Sequence, residues 1–536
     1  MPEKESSFDV LDMKQYRMEK LPVREKSKVE KFLVRIGAPL AIIVFIYIQF
    51  IGDFSFLHNI DIDGLSASGR AVFDKVGTDK FSAMNISMLA VFAAAIILWM
   101  TEAIPNYLTS LILIIALVLT GVLSEKDAYA QLGHKVMWLN IMSFILASML
   151  VATGVAKRFA LWFIVKFGKN STTIFISFIA INIVLSAFIS ATTAKAAILL
   201  PIFMVVAAVY GATGGRNKNN FGRSLVLQNL LNINMGAGMF VTGSGANLIA
   251  AALIGGAIGS DIYFSDWMMA AFPIQLGIMF IGLFLANKVF FPIKKEDRLP
   301  QIPGGMDRLK KELNSMGKLS INEIKSIIIF GSILALWVTD KMHGISPTAV
   351  AFMGGIIALL PKVGVIKWNE VDIPWHLLLF SAGAYTLGAG FKATDLPAIS
   401  VNNAFDAMGL GNGTPFWILY LLLTGGMLLS ALVFQSKTMR ALIFVPIAIG
   451  VAQKFGFSII SLALPVAFLI EHVYVLPFNS KPAALLYVTD HYSMTTAFKF
   501  GIAMMTVAWI ISIIMAMTYY RWLGITPEGL GMGFWG

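Results

Sequence analysis

Apolar stretches long enough to cross a lipid bilayer recur along this chain, and that recurrence leaves few folds open to it. Candidate spans lie at 33–52, 84–101, 106–123, 137–155, 223–257, 269–292, 320–339, 346–361, 374–391, 459–489 and 496–519. A helix of about 20 apolar residues spans ~30 Å of hydrocarbon. Two further stretches, 172–210 and 415–452, are too long for one crossing, and each carries a polar cluster near its middle. Non-helical backbone at membrane depth is tolerated only when buried in protein or lining an aqueous cavity. Both stretches are therefore read as re-entrant hairpins. The expected fold is an all-α polytopic membrane protein of about 11 transmembrane helices plus two re-entrant hairpins. The composition agrees: 57% of the 536 residues are hydrophobic and 13% are charged, against roughly 25% charged in a soluble domain.

The charges supply a topology. A net charge of +11 would suggest nucleic acid in a soluble protein; here it is read as basic cytoplasmic loops, and no nucleic-acid partner is expected. Residues 1–32 are polar and lack the pattern of a cleavable signal peptide, so they are placed as a cytoplasmic tail. Residues 33–81 then give a first helix and an external loop holding Asp53, Asp61, Asp63, Asp74 and Asp79. Lys157, Arg158, Lys166, Lys169, Arg216, Lys218 and Arg223 return to the inside, as does the basic linker 293–319; Asp261, Asp266, Asp395, Asp406 and the tail 521–536 fall outside. This predicts a multi-pass protein of the plasma (inner) membrane with a cytoplasmic N-terminus. Cysteine is absent, which excludes disulfides and thiol chemistry. The few histidines are scattered, and neither H-E-x-x-H nor a Walker A sequence occurs.

The linker separates two related halves, 82–292 and 320–520. WMTE (99–102) is echoed by WVTD (337–340), ATTAK (191–195) by SKTMR (436–440), and GSGAN (243–247) by NSKPA (479–483). Both hairpin motifs precede a proline, Pro201 and Pro446. With five spans and one hairpin each, the second half enters the membrane upside down relative to the first. Inverted repeats with paired broken elements characterise secondary transporters, whose substrates bind near the midplane.

The polar residues at these points are the candidate site. Thr192, Thr193, Ser436 and Thr438 offer hydroxyls at the hairpin tips, and helix N-termini there favour carboxylate or sulfate. Lys195 and Arg440 share the fifth position of the two tip motifs; Lys437 and Lys481 add two more cations. A charge at the bilayer centre costs at least ~2.5–3.5 kcal/mol, and the simplest compensation is a bound anion. Ser244 and Asn247 in the first helix break, and Asn479 and Ser480 beside Lys481 in the second, complete the set; Pro477 and Pro482 enforce the second break. The competing readings are helix capping for the hydroxyls and snorkelling or structural salt bridges for the cations. Glu102, Asp340 and Glu471 are the nearest acids, and Glu471–His472 reads as either a satisfied polar pair or a proton carrier.

At these residues the chain resembles the divalent anion/sodium symporter family of di- and tricarboxylate and sulfate transporters, over about 82–520. WMTEAIP (99–105) is similar to that family's first-repeat motif; ATTAK and SKTMR stand where the family has Ser-Asn-Thr tips, GSGAN and NSKPA where it has Thr-Pro-Pro-Asn-like breaks. The resemblance implies a homodimer whose protomers move a transport domain against a scaffold domain, elevator-fashion. It also marks departures. Thr192 and Lys437 hold the tip asparagine positions, Ala191 replaces a tip serine, and Ala483 replaces the second asparagine. Lys195 and Arg440 are similar to the Ser-Asn-Thr-Ala-Arg pattern of sodium-independent exchangers.

The resulting expectation is a transporter of succinate-, malate-, tartrate- or citrate-like anions in which fixed cations replace bound sodium, working by exchange or proton coupling. A residual sodium site near Thr192, Thr193, Gly243 and Asn247 stays open, as do sodium symport of a dicarboxylate or sulfate and an anion channel. An enzyme is not expected, since no nucleophile–base pair or metal cluster lies at depth. A cation/proton exchanger would need a carboxylate at the hairpin tips, which carry only hydroxyls and cations.

Overall fold

The computed structural model describes residues 9–17, 19, 21–22, 28–60, 62, 64–215, 218–407, 413–434 and 436–527. Asp61, Asp63, Arg216 and the end of the C-terminal tail, used above to place loops, lie outside the described residues, as does the side chain of Asp406. Among the described residues every regular element is a helix. The first half comprises α1 (Lys28–Ile46), α2 (Ala67–Val76), α3 (Thr78–Thr101), α4 (Asn106–Leu119), α5 (Lys135–Ala152), α6 (Val155–Phe167), α7 (Ser171–Phe188), α8 (Thr192–Val209), α9 (Asn220–Met239), α10 (Gly245–Ile258) and α11 (Phe264–Leu285). After α12 (Gly305–Ser315) come α13 (Ile321–Val338), α14 (Pro347–Leu359), α15 (Trp375–Thr394), α16 (Leu396–Ala407), α17 (Phe416–Leu429), α18 (Lys437–Lys454), α19 (Ile459–Phe468), α20 (Lys481–Tyr487) and α21 (Met494–Met517).

Seven of these helices, some with their flanking turns, are long and apolar enough to cross a bilayer unaided, and the chain is a multi-pass membrane protein. The shorter apolar helices arise where expected spans are interrupted. The stretch 223–257 is α9 and α10 separated by residues 240–244, and 459–489 is α19 and α20 separated by 469–480. The stretches 172–210 and 415–452 are likewise each two helices, α7–α8 and α17–α18. The chain folds back at both joints: Lys195 reaches Ser186 at 2.8 Å and Arg440 reaches Ser430 at 2.8 Å, across breaks that straight helices would hold much further apart.

The echo of WMTE by WVTD has a structural counterpart. Both tryptophans are buried, and each indole N–H donates to a carbonyl at the next helix start: Trp99 to Asn106 at 3.2 Å, Trp337 to Pro347 at 3.0 Å. Asp340, fully buried, accepts from the Phe264 N–H (2.7 Å) and the Ser265 hydroxyl (2.5 Å) and so caps α11 from the other half. The basic residues read as cytoplasmic hold the linker. Lys157 pairs with Glu312 at 2.6 Å; Arg158 pairs with Glu323 and donates to the Gly317 and Met316 carbonyls, both at 2.8 Å.

Helix α9 lies at the centre. It packs against α7 and α11, and nearly all its residues are buried. Some of its amides find partners: Gln228 donates to the Met279 carbonyl at 3.0 Å, and Asn182 of α7 donates to Asn229 at 3.3 Å. Gln228 Oε1, Asn232 Nδ2 and Asn234 Oδ1 are buried without one among the described residues.

Candidate anion site at the hairpin tips and helix breaks

Each half presents the same two devices. The hairpin turns through extended backbone, and its second arm begins without a side-chain cap: Ala191 precedes α8 and Ser436 precedes α18, neither capping its helix. An α-helix leaves its first N–H groups without intrahelical partners, so both tips end in uncapped donors and a partial positive charge. The broken helix resumes on a serine. Ser244 accepts from the Asn247 N–H at 3.3 Å and Ser480 from the Ala483 N–H at 3.2 Å. Asn247 and Asn479 then staple the breaks. Asn247 donates to the Ala237 and Phe240 carbonyls at 2.9 and 3.1 Å. Asn479 accepts from the Leu476 N–H at 2.7 Å and donates to Ala431, beside the second tip, at 2.6 Å.

The four devices meet through one hydrogen-bonded chain. The Lys437 ammonium donates to Thr192 Oγ1 of the other tip at 3.4 Å and to Glu471 Oε2 in the second break at 2.8 Å. Ser244 Oγ of the first break donates to Glu471 Oε1. Tip, tip, break and break are thus joined in the order Thr192, Lys437, Glu471, Ser244. Sequence reasoning assigned the counter-charge at this point to a bound anion; for Lys437 the protein supplies it as Glu471. The pair is lopsided, since the Lys437 side chain is 17% exposed and that of Glu471 is 0% exposed.

Lys195 and Arg440 do not reach this opening. Both are fully buried, and each ties its hairpin to the broken helix of the same half. Lys195 donates to Ser186 on the first arm and to the Ile233 carbonyl of α9 at 3.4 Å. Arg440 donates to Ser430, to the Ile470 and His472 carbonyls at 2.8 and 3.1 Å, to Leu469 at 3.4 Å and to Met427. All five guanidinium N–H groups are thereby used. The partner hydroxyls, Ser186 and Ser430, were not anticipated. Their recurrence nine or ten residues before the cation in both halves is a pattern the sequence carries.

The remaining candidates divide by access. Thr193, Ser436, Lys437, Thr438 and Ser480 are partly open and Lys481 is exposed, whereas Thr192, Ser244 and Asn247 are buried. Lys481 lies near enough to His376 for their charges to interact, and among the described residues no hydrogen bond or ion pair joins it to the Lys437 network. A narrow recess beside the first tip is lined by Ser143, Ser190 and Thr242 with Leu146, Phe330 and Trp337. Its three hydroxyls are buried and make no hydrogen bond among the described residues. Sequence reasoning missed these three: Ser143 is an isolated serine in an apolar helix, and Ser190 and Thr242 stand one residue outside the tip and break motifs ATTAK and GSGAN. Among the described residues no group of three or more His, Cys, Asp or Glu could hold a metal ion.

Comparison with known proteins places the arrangement in context. The family model described as "Sodium:sulfate symporter transmembrane region" matches residues 78–526. A protein named "Membrane protein" from Cupriavidus necator is 24% identical over 82% of this chain and 87% of its own length. "Sodium-dependent dicarboxylate transporter SdcS" of Staphylococcus saprophyticus is 26% identical over 84% of this chain and 89% of its own. "Dicarboxylate transporter 1, chloroplastic" of Spinacia oleracea is 27% identical over 57% of this chain and 53% of its own.

Proposed function

Because the chain belongs to the sodium:sulfate symporter family, we propose that it is a secondary transporter of small divalent anions, dicarboxylates of the succinate and malate size foremost. Two relatives carry dicarboxylate transport in their names. The observation that carries the reading is the 3.4 Å contact between Lys437 and Thr192, which brings two uncapped helix N-termini and a partly open ammonium to one place. One carboxylate of the substrate takes the Lys437 ammonium and the N–H groups at the start of α18; the other takes the start of α8 with Thr193. Lys195 and Arg440 act behind the tips as braces that hold the hairpins to the broken helices. Transport proceeds by elevator movement of this unit within a homodimer of the inner membrane, the two halves being inverted repeats.

The coupling ion is not sodium in the second half, where Lys437 fills the position. A second reading keeps one sodium ion in the first half, favoured by the unpartnered hydroxyls of Ser190 and Thr242. The test is thermal stability of the purified protein with succinate, malate, tartrate, citrate or sulfate, with sodium or with choline. Ligands that bind only the folded state stabilise it by RT ln(1 + [L]/Kd). Stabilisation by a dianion, equal in both salts, supports the proposal; dependence on sodium selects the second reading; no response to any dianion refutes both. Counterflow in proteoliposomes then separates a transporter from a channel, since preloaded substrate accelerates labelled uptake only through a transporter.

A further inference from the structure

We infer that Glu471 is a proton-binding residue that couples anion binding at the hairpin tips to uptake of one proton. The inference rests on the anion-site reading above and deepens it. It starts from a feature that reading does not use: the partly open ammonium of the site is held by a fully buried carboxylate.

Lys437 of the second tip donates to one carboxylate oxygen of Glu471 and Ser244 of the first break to the other. Thr192 of the first tip shares the Lys437 ammonium, and Lys195 and Arg440 lie close enough to interact electrostatically. On its own segment His472 is turned to the Tyr474 hydroxyl at 2.7 Å. Glu471 is thus the single carboxylate among three cations in this network.

An arriving dianion approaches Lys437 from its open side. While Glu471 is ionised, the ammonium serves two competing anions in a poorly hydrated place, and the carboxylate repels the newcomer. Addition of a proton from water to Glu471 Oε2 removes both obstacles. The resulting carboxylic acid keeps its contact with Ser244, and the Lys437 ammonium, with its three protons intact, turns to the substrate. Release of the anion lets Lys437 return and expel the proton. Because the carboxylate is sealed and the lysine is not, the exchange of partners occurs only where substrate has access.

The experiment measures proton uptake on binding, with a pH dye in weakly buffered detergent solution at about pH 7 to 8, where succinate and sulfate are both fully ionised. The wild type should take up about one proton per anion bound, and its Kd should rise about tenfold per pH unit across that range. Glu471→Gln should bind the same anions with no proton uptake and with a Kd flat across that range. Anion binding to the wild type without proton uptake overturns the inference even if the variant does not fold, and so does an unchanged pH response in Glu471→Gln. Failure of every dianion of the thermal screen, succinate and sulfate included, to bind the wild type withdraws the anion-site reading and this inference together, so the two failures are told apart.

Discussion

Replacing Arg440 separates a brace from a ligand. Its guanidinium serves the Ser430 hydroxyl and the carbonyls of Met427, Leu469, Ile470 and His472. Two of these keep another donor after Arg440 is removed: Met427 accepts from the Ser430 hydroxyl at 2.6 Å and Leu469 from the His472 N–H at 3.4 Å. The Ile470 and His472 carbonyls have no such substitute among the described residues of the second break, which are buried there. A buried acceptor left unsatisfied costs about 1–3 kcal/mol. Two of them give about 2–6 kcal/mol, which brackets the ~3–5 kcal/mol of removing one partner of a buried charged interaction. Arg440→Met should therefore lower the stability of the ligand-free protein by about 3–5 kcal/mol, and Arg440→Lys, with three donors on one atom, by roughly half that. The assay is the apparent melting temperature without substrate, beside Lys437→Met as a variant of the open site. If Arg440→Met melts with the wild type but no longer binds any dianion, the side chain is a ligand and the bracing argument is wrong.

Three further outcomes follow from the same geometry. Lys437→Gln should weaken dianion binding by about 1.5–3 kcal/mol, the worth of a hydrogen bond to a charged group, and titration by thermal shift reads the loss directly. Gly383→Ala should destabilise the contact of α15 with α4 by about 1–3 kcal/mol through overpacking, because the added carbon would sit 2.4 Å from Ser110 Cβ; an unchanged melting temperature would refute that packing. His491, in the loop between α20 and α21, sets Nδ1 3.0 Å from the Thr489 carbonyl and Nε2 3.4 Å from that of Ala212; the neutral ring donates to one of them, and burial first of all lowers its proton affinity below the ordinary histidine value. The unfolded chain then binds that proton near pH ~6.5 while the folded one does not. Its contribution is complete above that pH and is lost on acidification, by at most about 1.4 kcal/mol per pH unit. His491→Gln should flatten the acid side of a melting-temperature profile relative to the wild type.

The spans, both hairpins and both breaks were legible because length and apolarity are written residue by residue, and a polar cluster inside an apolar stretch needs no partner to be noticed. The tips were legible for the same reason: Thr192 and Lys437 stand out at once, and the structure brings them together. What the cations point at was not legible. Lys195 and Arg440 are answered largely by backbone carbonyls, and every residue has a carbonyl, so that partnership leaves no mark on the sequence. The Lys437–Glu471 pair joins residues far apart in the chain. Glu471 could be seen as a mid-span acid, but its choice of Lys437 over Arg440 depends on how the second break turns. The serines at 143 and 190 and the threonine at 242 were invisible until the fold closed a recess over them.

The difference between the two braces is itself explained by the breaks. The first break, residues 240–244, is short and largely closed by Asn247, which takes the carbonyls of Ala237 and Phe240. The hairpin cation of this half meets one carbonyl, that of Ile233 in the body of α9, and a lysine also bound to Ser186 covers it. The second break, residues 469–480, is longer, and Asn479 reaches across to the tip at Ala431 rather than back into the helix it follows. Carbonyls at 469, 470 and 472 therefore face the hairpin cation, the first shared with the His472 N–H; with Ser430 and the Met427 carbonyl they outnumber the three donors of an ammonium, whereas a planar guanidinium with five donors serves them. The residue type at the fifth position of each tip motif thus follows the number of backbone acceptors that face it. On this argument the two cations are not interchangeable: Lys195→Arg brings donors that meet no acceptor in a closed space, Arg440→Lys strands carbonyls, and the double exchange should melt below either single variant.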